Sequence, residues 1–173
     1  MVKDLFELSA DNRAFLAARL LSGGVGMAGD SVPRPYRERI HDVFYRKGGL
    51  PRTHLGLADA RRAIRDFRKA TADAAGTLEL MMTYVETGTD YRLDFGAEDA
   101  PLFNSLASVL DEIGSACDSN DGLALYGRFR KRLLSLAERA RGIGWGYGDH
   151  VRAIVEGLEE RWTNAGAPPR AES

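Results

Sequence analysis

Apolar side chains recur three and four positions apart along almost the whole chain, and the strict alternation of a half-buried strand hardly appears. Such a chain can bury its apolar residues only by forming helices that pack on other helices. The stretch LFNSLASVLDEI is the clearest case, with Leu102, Leu106, Val109, Leu110 and Ile113 in one stripe. The same spacing marks Tyr36, Ile40, Val43 and Phe44, then Leu57, Ala60, Ile64 and Phe67, then Leu78, Met81, Met82 and Val85. It returns in Tyr126, Phe129, Leu133, Leu136 and Ala140, and in Val151, Ile154, Val155, Leu158 and Trp162.

Start and stop signals divide this pattern. Ser9 opens a helix through Phe15, Leu16 and Leu20, which Gly23 and Gly24 end; SGGVGMAGDSVPRP follows as a connector. Pro35 fits a first helical turn, and that helix is expected to run to Gly48 and Gly49. Asp73 is positioned as an N-cap, Gly88 as a stop, and Pro101 as the opening of a further helix. TGTDYRLDFGAED is read as an irregular link between the last two. The expected fold is therefore all-α: about seven helices in a single compact bundle or a short solenoid-like stack of antiparallel helices. No repeat at a fixed period speaks for the solenoid version. The domain is expected over residues 1–162, with 163–173 as a disordered tail.

Composition narrows the class. At 173 residues, 44% hydrophobic and 28% charged, the chain has the make-up of one ordinary globular domain. The N-terminal residues lack the apolar run of a signal peptide and no stretch is long and apolar enough to span a bilayer, so a cytoplasmic location without membrane contact is expected. A single cysteine, Cys117, leaves no intramolecular disulfide framework and no multi-cysteine zinc site, and no cofactor is implied.

The net charge of -1 conceals strong segregation. Residues 34–69 hold eleven Lys or Arg against four Asp or Glu; residues 70–127 hold one against eleven; residues 128–141 hold six against one. Such blocks create local fields while the total cancels.

Four stretches, FELSADNRAFLAARL, ARRAIRDFRKATADAAGTLELMMTYVETGTDY, LFNSLASVLDEI and ARGIGWGYGDH, resemble a bacterial all-helical family catalogued only as a domain of unknown function. The resemblance spans roughly residues 4 to 155 and implies a helical fold and a bacterial source, without any catalytic residue to carry over. Members of that family often carry a His where this chain has Gly148; either this chain has lost it or His150 takes its place.

Four groups of residues are weighed as sites. In RGIGWGYGDH, Trp145 and Tyr147 can form a stacking platform beside Arg139 and Arg141. Against this stands a structural corner in which Gly142 ends a helix, Trp145 caps the core and Asp149 N-caps the last helix, and the corner is the preferred reading. Arg61, Arg62, Arg65, Arg68 and Lys69 lie at helical spacing and can form a basic ridge, or can pair with the acidic block of the same chain. Asp90, Asp94, Glu98 and Asp99 are read as a solvated acidic loop, since their spacing is not that of a calcium loop. Arg34 and His41 formally match the arginine–histidine spacing of helical endoribonucleases, but Arg34 is read as lying before the helix. His54 and His150 stand apart, and no nucleophile elbow is present.

The expectation from these readings is an interaction protein rather than an enzyme, docking a protein partner through segregated charge, with Arg61, Arg65, Arg68, Trp145 and Tyr147 as candidate binding residues. Nucleic acid on the Arg-rich helices is the alternative, and a metal-independent endoribonuclease comes third. No catalytic, metal or cofactor residue is assigned.

Overall fold

A computed structural model describes residues 32–119 and 122–166 of the chain. The helix expected from Ser9, the connector up to residue 31 and residues 167–173 lie outside them, and the last two connector residues, Arg34 and Pro35, belong to a helix. The described residues form six α-helices and no strand: α1 (Arg34–Phe44), α2 (Leu57–Thr71), α3 (Ala74–Phe95), α4 (Ala100–Asp118), α5 (Gly122–Ala140) and α6 (Tyr147–Asn164). The protein is all-helical, as the periodicity requires, and all six expected helices that fall in this range are present.

The helices group into two compact units divided between Glu98 and Asp99. In the first, α1 packs on α2 and α3, and α2 on α3; in the second, α6 packs on α4 and α5, which also meet each other.

In the first unit the amphipathic α1 and α2 turn in Tyr36, Ile40, Val43, Phe44, Ala60, Ile64 and Phe67. The Tyr36 and Phe67 rings meet edge to face at 5.3 Å. Helix α1 stops at Phe44, short of the expected glycines. The chain instead doubles back through a tight turn in which Arg46 N–H donates to Leu50 O (2.7 Å) and Arg52 N–H to Phe44 O (2.8 Å), with Gly48 and Gly49 at positive φ. Those glycines therefore serve the turn rather than the helix end.

Helix α3 begins at Asp73, whose carboxylate accepts the Gly76 N–H at 2.9 Å, as the capping signal predicts. It does not stop at Gly88. It continues to Phe95 and closes on Gly96 in the left-handed conformation, so most of the expected irregular link is helix. A buried Gly is compatible with continuation because α3 is buried on nearly every side, through Leu78, Leu80, Met81, Met82, Tyr84, Val85, Thr89 and Tyr91. Packing on that scale outweighs the roughly 1 kcal/mol that Gly costs in a helix interior. Its buried hydroxyls are satisfied within the helix: Thr77 donates to Asp73 O (2.7 Å) and Thr89 to Val85 O (2.7 Å).

Every described helix of the second unit is two-sided. Leu102, Leu106, Leu110 and Ile113 of α4, Phe129, Leu133 and Leu136 of α5, and Val151, Val155 and Leu158 of α6 form its core. Helix α6 runs to Asn164, two residues into the stretch read as tail.

Candidate partner-binding surface

The corner between α5 and α6 is where the Gly-rich motif folds, and its backbone decides which aromatic faces water. Helix α5 ends at Ala140, Gly142 takes φ 79, and Ile143 N–H closes back on Ala140 O at 3.0 Å. Trp145 (φ 60) and Gly146 (φ 71) then adopt the left-handed conformation in succession, after which His150 N–H donates to Gly146 O at 2.9 Å and α6 is under way. Gly148 has no substitute here, because a Cβ on it would lie 2.4 Å from Ala140 O. The start of α6 is thus set directly against the end of α5.

This geometry corrects the reading of Trp145 as a core cap. Ile143 and Tyr147 are the residues that turn inward, Tyr147 being only 2% exposed with its ring 5.7 Å from that of Phe103. Trp145 stands outward, 65% exposed. Asp149 is not the N-cap either. Gly146 holds that position without a side-chain cap, and Asp149 lies in the first turn, paired with Arg152 at 2.8 Å. The two aromatics of the proposed platform therefore separate. Tyr147 holds the corner to the core, and Trp145 is displayed.

Holding a non-glycine residue at φ 60 costs roughly 1–2 kcal/mol, and such strain persists only where the surrounding structure enforces it. Here Ile143 and Tyr147 on one side and the Gly148 contact on the other supply the constraint.

Gly142 and Gly148 also wall a recess of about 340 Å³ between α5 and α6. Its apolar lining comes from Leu134, Ala137 and Val155. Its rim carries both signs of charge, as Arg141 pairs with Glu138 (2.8 Å) and Arg152 with Asp149 (2.8 Å) and Glu156 (3.9 Å). Exposed pairs of this kind hold their geometry weakly, each contributing about 0–1 kcal/mol, so they can rearrange around an incoming group.

Farther along the same two helices is a polar cluster that the sequence reading missed. Glu159 of α6 accepts from Nε of Arg130 (2.5 Å, to Oε1) and from Nη2 (2.6 Å, to Oε2), and Tyr126 donates to the same Oε1. The Arg130 hydrogen bonds hold the Glu159 carboxyl below the usual carboxylate range, and burial, followed by the bond to Glu159, raises the Tyr126 hydroxyl above the usual phenol range. Trp162 packs edge-on against Tyr126 with centroids 5.8 Å apart. Both carboxylate oxygens are engaged, so the cluster acts as an interhelical clasp. The only sequence signal for it is that Tyr126 and Arg130 are four residues apart, one turn on α5.

The remaining candidates fall elsewhere. Arg61, Arg65 and Arg68 lie on α2, in the first unit, with Arg65 and Arg68 exposed and Arg61 half-buried. Asp90 and Asp94, expected in a loop, are helical residues of α3. Arg34 opens α1 rather than preceding it; its Nε contacts Glu38 at 2.7 Å, while the His41 ring two turns on stacks against Tyr45 at 4.8 Å. His54 lies beside Thr53 (3.2 Å), and His150 Nε2 is 2.9 Å from Asp111 Oδ1, a close approach between α4 and α6 without hydrogen-bond alignment. Burial raises the Cys117 thiol to about 11, which leaves it a protonated core residue. Among the described residues, no three His, Cys, Asp or Glu side chains gather in a metal-binding group, and no helix is long and apolar enough to cross a membrane. Compared with family models, curated proteins and solved structures, the chain matches none of them.

Proposed function

We propose that this protein is a non-enzymatic interaction module whose α5–α6 corner docks a protein partner, with Trp145 as the anchor. One observation carries the reading: a large aromatic side chain is held 65% exposed in a backbone conformation that costs free energy, beside a recess with an apolar lining. Tryptophan is the residue type most enriched among binding hot spots, and strain of this kind clusters at functional positions. The mixed charges around the recess set orientation and on-rate more than affinity. A cytoplasmic location and a bacterial source belong to the same proposal.

The test is capture from the native lysate with wild-type protein and with Trp145→Ala, each run with and without nuclease. The expected result is a stoichiometric protein that survives nuclease and is lost with Trp145→Ala. Retention of that protein by the variant sinks the assignment of the anchor.

A second reading, binding of nucleic acid on α2, draws on the exposure of Arg62, Arg65, Arg68 and Lys69 along one helix. It predicts material released by nuclease and an affinity for unrelated sequences that falls steeply with salt.

A further inference from the structure

We propose that the end of the first unit where α1 and α3 finish is a docking site for a protein segment bearing arginine. This surface is independent of the Trp145 corner, and nothing in the proposed function requires it.

Two columns run along the last turns of α3. Tyr91 and Phe95 are four residues apart and form the aromatic column; Asp90 and Asp94, one position over, form the carboxylate column. The Tyr91 and Phe95 rings lie 5.4 Å apart. Tyr45, just beyond α1, sets its ring edge-on to both, at 5.9 Å and 73° to Tyr91 and at 6.1 Å and 61° to Phe95, and His41 stacks on its other side. Tyr91 is fixed from below by donating its hydroxyl to Arg52 O at 2.6 Å. Phe95 is nonetheless 45% exposed, and Leu50, on the adjoining turn, is 64% exposed.

An exposed aromatic ledge in a neutral field would fit any apolar group. This one has the carboxylates of Asp90 and Asp94 beside it. Burial raises the Tyr45 hydroxyl above the usual phenol range, and the charges of Asp94 and Asp90 add to that effect. The C-terminus of α3 adds the negative pole of a 22-residue helix. Of the cations nearby in sequence, Arg92 is engaged by Glu98 at 3.1 Å, and Arg46 and Lys47 stand exposed on the turn.

Guanidinium suits the combination of aromatic face and carboxylate. It is planar and weakly hydrated, so it can stack on a ring while its N–H fork reaches a carboxylate, whereas ammonium retains its water and binds as a point charge.

The experiment is a two-dimensional amide NMR titration of the full chain with capped peptides of alternating glycine with arginine, lysine or glutamate. Saturable shifts confined to residues 41–50 and 90–96, with arginine tighter than lysine, are expected. Phe95→Ala and Asp94→Asn, both at exposed positions, should each weaken arginine-peptide binding about threefold or more, the size of a cation–π contribution at an exposed site. Trp145→Ala should leave it unchanged, which separates failure of this site from failure of the corner. Equal binding of lysine and arginine peptides, shifts spread over all acidic surfaces, indifference to Phe95→Ala, or no saturation at concentrations on the order of 1 mM would each overturn the assignment.

Discussion

The two units, each with three helices among the described residues, solve the same packing problem differently. The first surrounds one helix, α3, which is buried on nearly every side and satisfies its few buried hydroxyls internally. The second keeps each helix two-sided and fastens α5 to α6 with a clasp of Tyr126, Arg130 and Glu159. A helix buried on most sides draws its stability from packing area; a two-sided pair adds directional bonds whose loss leaves desolvated charge. The difference also shows at the surfaces. The first unit exposes rings where α1 and α3 end, and the second displays a single tryptophan from a rigid corner.

The most severe test of that contrast compares truncations two residues apart on each helix. In α3, Leu80→Ala and Met82→Ala point to different sides, yet each should cost about 2–5 kcal/mol, because both side chains are fully buried. In α5, Leu136→Ala should cost as much, but Leu134→Ala, half-exposed at the recess, only about 1 kcal/mol. Urea unfolding reads all four. Equal losses at Leu134 and Leu136 would mean that α5 is no more two-sided than α3.

Gly148→Ala comes next. With Ala140 O at 2.4 Å from the added methyl, α6 must shift off α5, for about 1–3 kcal/mol of lost stability by thermal or urea melts. A neutral outcome would show that the corner yields easily, and with it the argument that Trp145 is held under constraint.

The clasp is read by pH. Glu159→Gln should cost about 1–3 kcal/mol at neutral pH, the worth of hydrogen bonds to a charged partner. Because the folded state holds the Glu159 carboxyl below its ordinary value, its contribution is present above the ordinary carboxylate range and is lost as pH falls through the lowered folded value. Stability curves of wild type and variant should therefore converge in acid, below about pH 4. A constant offset down to low pH would remove the ionised clasp from the comparison.

The smallest effect is at the surface. Trp145→Gly relieves the positive φ and should raise stability by up to about 1 kcal/mol, whereas Trp145→Ala keeps the strain and should change it little. A clear loss of stability in Trp145→Gly would mean that the indole packs in solution and is not on display.

Much of this architecture is legible in the residues alone. Asp73 caps α3, Pro101 sits in the first turn of α4, and the stripe from Leu102 to Ile113 is buried as its spacing requires, because caps and amphipathic faces are local properties. The reading failed at Gly88 because a glycine looks like a stop in sequence until packing overrides it. It failed at the corner because Trp145 and Tyr147 are equally apolar in composition, and only the backbone between Gly142 and Gly148 determines which of them turns inward. The meeting of Tyr126, Arg130 and Glu159 was beyond it too, since a contact between residues 29 and 33 positions apart has no periodicity. Sequence by itself determined helices, caps and core stripes, which arise within a turn or two of chain. Tertiary structure alone decided where α3 ends, which aromatic meets water and which charges clasp, because those outcomes depend on what each helix finds against it.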